Sequence, residues 1–359
     1  MSRWIDAKIL GNIPRLKIFK KYCESDYSPV PQKNNLKLSK VIVIHRHGDR
    51  TPIEMVGREW EQIKCVRCKL TGDMLDQCTI QACKNGELTA KGYQQMQELG
   101  KYIKKEYGKK LKFTLDNIKL RATAVGRTHA SLHGVLVGLA DILKLNNVDV
   151  NRNSGDSLLN PRKCRKLLTP MEPQLNVLSD GIPGDKKEFE NISPSRKTDI
   201  YLTHICNDVD LNCNNLNCDE KLIEKYIKLS LDTWRSESEM AIRNESILKI
   251  LFGRFARDLL IYLEDTDKKL YIISAHDGSL ANILIGLGTS VVDHPPYASA
   301  IFLELWENKK EKFIRVLFNN RVCQTTIDES TNIPLTKFKN YLKVLAIDNS
   351  ELDNICETM

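Results

Sequence analysis

The chain has 359 residues, of which 42% are hydrophobic and 28% are charged, and its formal net charge is +8. These values are typical of a folded globular protein and exclude a disordered or fibrous chain. No apolar run approaches the roughly 18–20 residues of a membrane span, so no span is predicted. The basic residues accompany no recognised nucleic-acid-binding motif, and we therefore predict no nucleic-acid partner.

The first quarter of the chain contains one clear strand and one clear helix. Residues 1–36 show no strong periodicity and are predicted to be an N-terminal extension. The apolar run "VIVI" predicts a strand over about 39–45 that is buried on both faces. Residues 53–88 are predicted to be an irregular excursion. Thr89 is then expected to cap a helix that ends near Gly108, since threonine is favoured at N-caps and glycine at helix ends.

The rest of the chain divides into a polar segment and a set of alternating strands and helices. Residues 145–235 are rich in Asn and Asp and are predicted to be an α-rich cap, inserted into an α/β core made of 37–144 and 236–359. In the core, the patterns predict a strand at 115–123, a helix at 127–144, a long helix within 236–264, a strand, turn and helix over 268–288 and a hairpin over 299–320.

Three predicted strands are each followed directly by charged or histidine side chains. Because ligands bind beyond the carboxyl ends of parallel strands, we expect these side chains to converge on one site. Guanidinium groups are rarely buried without partners, and their planar fork matches a phosphoryl group. The candidate phosphate site consists of Arg46, His47 and Arg50 after the first strand, Arg121 after the second, and His276 and Asp277 after the third.

The residue types at this site indicate phosphoryl transfer. Nearby arginines lower the pKa of His47, and its neutral imidazole can attack phosphorus as a nucleophile. Asp277 is the candidate acid that protonates the departing alcohol, and acidic solution is expected to keep it protonated. Asp49 is predicted to orient a neighbouring arginine. The arginines supply electrostatic stabilisation, so the sequence predicts a phosphorylated small-molecule substrate and neither a metal nor a cofactor.

The same residues resemble a known family. "RHGDRTP" (46–52) and "AHDG" (275–278) are similar to the R-H-G-x-R-x-P signature and the distal His-Asp element of the histidine acid phosphatases, branch 2 of the histidine phosphatase superfamily. The blocks "LTAKGYQQMQELG", "RATAVGRTHAS" and "PPYASAIFLELW" follow in the family's order, and the resemblance covers about residues 38–325. It implies a phosphoglycerate mutase-like three-layer α/β core with a mostly parallel central sheet and an inserted α-rich cap.

The resemblance also implies an activity and a role for each site residue. It implies an acid phosphatase that hydrolyses phosphomonoesters, and the pair His-Asp, where phytase-type members carry His-Ala-Glu, points towards general acid phosphatases or the related phosphoxylose phosphatase. The implied roles are a phosphohistidine intermediate at His47, phosphate binding by Arg46, Arg50, Arg121 and His276, and proton donation by Asp277.

Two other functions remain open at this stage. One is a non-catalytic protein on the same fold that binds a phosphorylated ligand or a partner. The other is a metal-dependent hydrolase, for which His129 and His133 could add ligands to the His276-Asp277 pair, although no H-E-x-x-H motif accompanies them. The sequence does not indicate the oligomeric state.

The cysteines and the N-terminus give conflicting indications of location. The chain has eleven cysteines, and it has N-x-S sequons at Asn191 and Asn244, which favour a secretory or vacuolar protein. The first residues lack the apolar core of a secretion signal, which favours an intracellular one. Local disulfides, free thiols and a small zinc site are all open for Cys65, Cys68, Cys78 and Cys83, and likewise for Cys206, Cys213 and Cys218.

Overall fold

A computed structural model of the protein describes residues 7–27, 36–71, 74–139, 149–151, 156–161, 164, 192–213, 216–289 and 293–358. Its strands are β1 (Ala7–Ile9), β2 (Lys37–Arg46), β3 (Lys64–Thr71), β4 (Met74–Ala82), β5 (Ile118–Thr123), β6 (Asp149–Asn151), β7 (Asp210–Asn212), β8 (Leu270–Ala275), β9 (Ala300–Glu307), β10 (Lys312–Phe318), β11 (Arg321–Val322) and β12 (Ile333–Pro334). Its α-helices are α1 (Ala90–Leu111), α2 (Gly126–Leu139), α3 (Pro194–Asn207), α4 (Glu220–Ile242), α5 (Glu245–Leu248), α6 (Arg254–Glu264), α7 (Asp277–Gly286), α8 (Leu335–Leu345) and α9 (Asn349–Thr358).

The core is an eight-stranded sheet with the strand order β11-β10-β9-β2-β8-β5-β6, in which β12 pairs with β10. β2, β8, β5 and β6 run parallel to one another, whereas β9 is antiparallel to β2 and β10 is antiparallel to β9. Helices α1 and α2 cover one face, and α6, α7 and α8 cover the other. This three-layer arrangement around parallel strands confirms the predicted fold class.

The run "VIVI" explains why β2 lies in the middle of the sheet. Val41 and Val43 belong to the apolar cluster under α1 and α2, whereas Ile42 and Ile44 belong to the cluster under α6, α7 and α8. All four side chains are 0% exposed. Successive side chains of a strand point to opposite faces, so a run without a polar residue is stable only where both faces are covered.

Several predicted element boundaries shift in the structure. The Thr89 hydroxyl accepts a hydrogen bond from the Gly92 N–H and caps α1 as predicted. The helix runs past Gly108 to Leu111, however, because the left-handed residue that ends it is Lys112, with a φ of 46°. The long helix predicted within 236–264 begins only at Glu245, since α4 ends at Ile242 and Asn244 caps α5, and a π-helical turn over Lys249–Gly253 joins α5 to α6. The boundary predicted between the cap and the core, at 235/236, falls inside α4. Residues 140–144, which were predicted to be helical, lie outside the described ranges.

The segment 53–88 is more regular than predicted. It contains the antiparallel hairpin β3–β4, whose strands are joined by the disulfides Cys65–Cys83 and Cys68–Cys78. Three further disulfides are Cys213–Cys218, Cys23–Cys206 and Cys164–Cys356, and the one remaining cysteine of the chain, Cys323, is a buried thiol. The alternatives left open for the two cysteine groups therefore resolve to disulfides, which persist in oxidising compartments.

The N-terminal residues pack with α3 and α4 as a third apolar group. β1 pairs with β7, and Cys23 is bonded to Cys206 near the end of α3. Phe19 and Tyr22 share one buried cluster with residues of α3 and α4. The described residues contain no helix that is long and apolar enough to cross a membrane.

Candidate active site

The register of the parallel strands decides which loops meet at the carboxyl edge of the sheet. Arg46 pairs with Ala275 across β2 and β8, and Ala122 pairs with Ser274 across β5 and β8. The segments that follow these strands therefore emerge side by side. A cavity of about 380 Å³ opens there, and its lining includes Arg46, Arg50, Arg127, Asp277, His294 and Tyr297.

The loop after β2 is held firmly against β8, α1 and α2. The backbone N–H of His47 donates to the carbonyl of Ala275 at 3.1 Å, and the N–H of Gly48 donates to Ser131 Oγ at 3.2 Å. Gly48 also packs so tightly on α1 that a Cβ would lie 2.2 Å from the carbonyl oxygen of Gly92. Only glycine permits this approach. The glycine of the signature thus fixes the position of His47.

His47 is buried, and its ring is held in one tautomer. Nδ1 lies 2.8 Å from the carbonyl oxygen of Gly48. A carbonyl can only accept a hydrogen bond, so Nδ1 carries the hydrogen and Nε2 keeps its lone pair. Burial, together with the positive charges of Arg127 and Arg46, holds the pKa of His47 well below its ordinary value of 6.5. The imidazole is therefore neutral in weakly acidic solution and nucleophilic at Nε2.

Arg46 and Asp277 form an ion pair in the cavity wall. Arg46 Nη2 lies 2.8 Å from Asp277 Oδ2, and Nη1 donates to the carbonyl of Pro295 at 2.6 Å. The guanidinium carbon lies 4.1 Å from the centre of the Tyr297 ring, within cation–π distance. These contacts fix the plane of the guanidinium group.

Asp277 is a carboxylate beside Arg46. Burial alone would raise the pKa of this carboxyl, but Arg46 and the other positive charges around it hold the pKa well below 3.8. Asp277 also begins α7 and accepts a hydrogen bond from the Gly278 N–H at 2.8 Å, at the helix end where the dipole favours negative charge. The expectation that acidic solution keeps this group protonated does not hold next to Arg46.

Arg50 is fixed by a carboxylate that sequence reasoning missed. Its two terminal nitrogens lie 3.2 Å and 2.7 Å from the two oxygens of Asp199, a bidentate pair. Asp199 also accepts from the Ile53 N–H at 2.8 Å and thereby ties α3 to the loop after β2. Asp49, the predicted arginine partner, instead accepts a hydrogen bond from the Thr89 hydroxyl at 2.8 Å. No sequence signal marks Asp199, because it lies about 150 residues away in a segment without a motif.

The structure does not bring Arg121 to the cavity. Its Nη2 lies 2.9 Å from Asp156 and its Nη1 lies 2.7 Å from Asp258. β5 continues to Thr123, so Arg121 lies two residues before the end of the strand, roughly 7 Å below the edge of the sheet. At that depth it meets α6, which supplies Asp258. The predicted phosphate site is corrected at this position.

Arg127, in the first turn of α2, lines the cavity instead. Its Nη2 lies 3.3 Å from Nδ1 of His276, and its buried Nε has no hydrogen-bond partner among the described residues. Burial and the charge of Arg50 lower the pKa of Arg127 to about 10. None of the described carboxylates forms an ion pair with it. A signal was present, because this residue is the second arginine of the block "RATAVGRTHAS".

His276 is neutral and is held between two partners. An arginine can only donate, so Nδ1 accepts from Arg127, and Nε2 carries the hydrogen that it shares with Thr123 Oγ1 at 2.9 Å. Burial and Arg127 lower the pKa of His276 to about 3. Its ring centre lies 5.7 Å from that of His47. The structure thus brings together His47, His276, Asp277, Arg46 and Arg50 from the predicted set.

His294 is a further site residue that the sequence did not suggest. Its Nε2 lies 3.7 Å from Asp277 Oδ2, and its ring centre lies 4.7 Å from that of Trp234 on α4. Burial and the charge of Arg46 lower the pKa of His294 to about 4. It stands directly before the block "PPYASAIFLELW" and could have been noticed there.

The histidines and cysteines considered as metal ligands are engaged in other contacts. His133 Nδ1 lies 2.8 Å from the hydroxyl of Tyr93. Within the described ranges, the one group spaced for a metal consists of Cys68, Cys78 and His133. The two sulfur atoms of that group are bonded to each other.

Comparison with known sequences identifies the family. The profile of the histidine phosphatase superfamily (branch 2) matches residues 37–170 and 214–319. The chain belongs to this family. Human lysophosphatidic acid phosphatase type 6 is 24% identical over 93% of this chain and 89% of its own length. Mouse prostatic acid phosphatase is 25% identical over 85% of this chain and 86% of its own length.

The fold is also similar to solved structures. A phytase from Hafnia alvei in complex with tartrate superposes with a TM-score of 0.60 and 14% identity, covering 90% of this chain and 99% of the phytase. At that identity the likeness shows the fold alone. The family and its acid phosphatase relatives make this protein a phosphatase, a hydrolase of phosphoric monoesters.

Proposed function

We propose that this protein is a metal-independent acid phosphatase that works through a phosphohistidine intermediate on His47. The observation that carries the proposal is the state of His47, which is neutral, buried and hydrogen-bonded through Nδ1 to a carbonyl. Such a ring has its Nε2 lone pair available for attack on phosphorus. A non-catalytic ligand-binding protein would not need a fixed tautomer.

The phosphoryl group is bound by Arg46, Arg50 and Arg127, and His276, for which the sequence suggested phosphate binding, instead positions Arg127 through Nδ1 while its Nε2–H is shared with Thr123. The three arginines face only two carboxylates within ion-pairing distance, Asp277 and Asp199, among the described residues. An anionic phosphoryl group supplies the missing negative charge and accepts the free Nε–H of Arg127. Arg127 takes the role that the sequence assigned to Arg121. This positive cluster provides the stabilisation that a metal ion supplies in other hydrolases, so no metal or cofactor is invoked.

The proton for the leaving group arrives with the substrate. A phosphomonoester has a second pKa near 6, so below that pH it carries one proton. When its negative charge pairs with Arg46, the pKa of Asp277 rises, and the ester proton can pass to this carboxylate. His47 Nε2 then forms a bond to phosphorus, the P–O bond to the alcohol breaks, and Asp277 returns the proton to the departing oxygen.

Hydrolysis of the intermediate restores the enzyme. Asp277, again a carboxylate, takes a proton from a water molecule that attacks the phosphohistidine. The bond from phosphorus to His47 breaks, Asp277 passes the proton to the phosphate, and inorganic phosphate leaves. We expect turnover to be fastest in acidic solution because the ester must be protonated. Protonation of Asp277 before substrate binds does not set this optimum, because the pKa of Asp277 is held well below 3.8.

The relatives support a phosphorylated small molecule as the substrate. One relative is named for lysophosphatidic acid and another is a prostatic acid phosphatase. The pair His276-Asp277 favours a general acid phosphatase over a dedicated phytase. We also propose that residues 145–235 act as a cap that shapes the leaving-group side of the cavity, since Asp199 and Leu202 of α3 line it.

Turnover of p-nitrophenyl phosphate by the purified protein between pH 4 and 7 tests the proposal. We expect turnover that survives dialysis against a chelator, and a phosphorylated protein on rapid quenching into alkali, in which phosphohistidine is stable. Tight binding of phosphate without turnover would favour the non-catalytic alternative. Activity lost to the chelator and restored by a divalent ion would instead support a metal-dependent hydrolase.

A further inference from the structure

Two buried threonines connect His276 to the turn between β5 and α2. Thr123 is the last residue of β5 and Thr128 lies in the first turn of α2, and both are 0% exposed. Their hydroxyl oxygens lie 3.0 Å apart, and that of Thr123 lies 2.9 Å from His276 Nε2. Because both hydroxyls are out of water, their hydrogens must point to acceptors in the protein.

The carbonyl groups of the turn determine the direction of these hydrogen bonds. Thr128 Oγ1 lies 2.7 Å from the carbonyl oxygen of Val125 and 2.9 Å from that of Thr123. A carbonyl oxygen only accepts, so the single hydrogen of the Thr128 hydroxyl points to these carbonyls, and its oxygen accepts from the Thr123 hydroxyl. Since the hydrogen of Thr123 is used in that bond, Thr123 Oγ1 must accept from His276. Nε2 of His276 therefore carries the hydrogen.

The opposite side of the imidazole requires the same tautomer. Arg127 Nη2 lies 3.3 Å from His276 Nδ1 and can only donate, so Nδ1 must be without a hydrogen. The other tautomer would place an N–H of His276 against an N–H of Arg127. The turn carbonyls, the two threonines, His276 and Arg127 thus form one chain of hydrogen bonds with a single direction.

Arg127 depends on this chain for its orientation. Among the residues that the structure describes, His276 accepts the one hydrogen bond of the Arg127 guanidinium group, whose buried Nε has no partner. Arg46 and Arg50, by contrast, are each held by a carboxylate. A change at His276 is therefore expected to displace Arg127 more than the other two arginines.

From this chain we propose that Thr123 and Thr128 are positioning residues of the phosphate site. They hold His276 in the Nε2–H tautomer, and His276 in turn holds the guanidinium group of Arg127 at the cavity. The inference rests on the proposed binding of phosphate by Arg127.

The tautomer of His276 is measured by two-bond ¹H–¹⁵N spectra near neutral pH. The chain has seven histidines, and the spectrum of His276→Gln identifies the signal of this one. We expect the Nε2–H form alone in the wild-type protein. In Thr128→Val the Thr123 hydroxyl is free to donate to Nε2, so a share of the Nδ1–H form should appear. Thr128→Ser retains the hydroxyl and should restore the wild-type signal.

Calorimetric binding of inorganic phosphate tests whether the threonines act through Arg127. Thr123→Val leaves the His276 Nε2–H buried without an acceptor, and the Kd for phosphate should rise by about tenfold. Thr123→Ser should bind phosphate as the wild type does. In an Arg127→Met background, Thr123→Val should have no further effect on Kd, because the group it positions is already absent.

Thr289→Val is the matched control for loss of a buried threonine hydroxyl. Thr289 is 2% exposed, and its hydroxyl donates to the carbonyl of Leu284 at 3.0 Å, near the end of α7 that lies away from Asp277. This variant should change neither the His276 signal nor the Kd for phosphate.

The outcomes separate the positioning role from the proposed function. An Nδ1–H or mixed tautomer in the wild type would overturn the inference. So would the same loss of phosphate affinity from Thr123→Val with and without Arg127, or valine variants that lower only the melting temperature, since the threonines would then be merely structural. If phosphate binds as expected but no ester is hydrolysed, the proposed function fails and the positioning role stands.

Discussion

Two arginine clusters lie near the carboxyl ends of the parallel strands, and they differ in charge balance. The phosphate cluster contains Arg46, Arg50 and Arg127 and has two carboxylate partners within ion-pairing distance, Asp199 and Asp277. The neutral cluster contains Arg121 and Arg254, which stand beside Asp156 and Asp258. Each count refers to the residues that the structure describes.

The difference shows how a binding site for an anion can be told from a structural ion pair. In the neutral cluster the charges cancel, and Arg121 joins β5 to α6 and to the segment around Asp156. In the phosphate cluster the charge of Arg50 adds to burial in lowering the pKa of Arg127, so the surplus positive charge costs free energy. An anion removes that cost. Nearness to the carboxyl end of a strand is common to both clusters and does not distinguish them.

The largest effect is expected from substitution of His47, which tests whether the phosphate cluster is a catalytic centre or only an anion-binding site. His47→Ala should reduce turnover of p-nitrophenyl phosphate by about 10⁴-fold or more, because it removes the atom that attacks phosphorus. Binding of inorganic phosphate, measured by calorimetry, should persist because the three arginines remain. His133→Gln, a histidine on α2 that contacts Tyr93, serves as the control and should keep full activity. An active His47→Ala protein would refute the nucleophile.

The next effect concerns the proton donor. Asp277→Asn should slow hydrolysis of alkyl phosphates by about 10²–10⁴-fold and affect p-nitrophenyl phosphate far less, because only a poor leaving group needs the proton. The variant should also bind inorganic phosphate more tightly, since the phosphate cluster loses a competing carboxylate. Equal losses with both esters would contradict the assignment.

The two clusters are compared directly by paired substitutions. Arg127→Met should lower kcat/KM by about 10²–10³-fold with no loss of thermal stability, because it removes a group that stabilises the bound phosphoryl charge. Arg121→Met should instead leave kcat/KM nearly unchanged and reduce stability. We expect its free energy of unfolding to fall by about 3–5 kcal/mol, because Asp156 is left buried and unpaired.

A second substitution at Arg121 keeps the comparison possible if the Arg121→Met protein does not fold. Arg121→Lys retains one positive charge and should keep the protein folded with a smaller loss of stability. Kinetic constants close to those of the wild type in either Arg121 variant would support the assignment of Arg121 to the neutral cluster, outside the active site. Loss of phosphate affinity in a folded Arg121 variant would return this residue to the active site.

The smallest effect is a pH dependence of stability at the loop after β2. Burial raises the pKa of Asp49 from 3.8 to about 6, although Lys91 and Thr89 oppose the rise. The folded protein therefore holds a proton that the unfolded chain has lost, so this residue lowers stability as pH rises from about 4 to 6. Asp49→Asn should gain stability relative to wild type over this interval, by about 1–3 kcal/mol, and keep a constant difference above it.

Melting temperatures at pH 4, 5, 6 and 7 measure this difference. A constant difference across all four pH values would show that Asp49 does not titrate there. Asp116→Asn is a suitable comparison because Asp116 is exposed in the turn before β5, and it should show no such trend.

The sequence predicted the fold class and most of the residues that the structure brings together at the candidate site, because both depend on local patterns. The apolar run of β2 requires burial on both faces, and the residues directly after it must emerge at the edge of the sheet. His47, Arg46, Arg50, His276 and Asp277 follow from that rule alone. The apolar pattern did not indicate the hairpin β3–β4, which is joined by two disulfides and packs through Val66 on Leu88 and Ala130.

What the sequence by itself determined is the set of groups at the ends of β2 and β8, together with their chemistry. Only the tertiary structure decided their partners. The depth of Arg121 in β5 put it against α6, whereas the first turn of α2 put Arg127 beside His276. Asp199 and Trp234 reach the site from helices that carry no motif. Charge pairing and wall contacts depend on distances in space, and no local pattern encodes them.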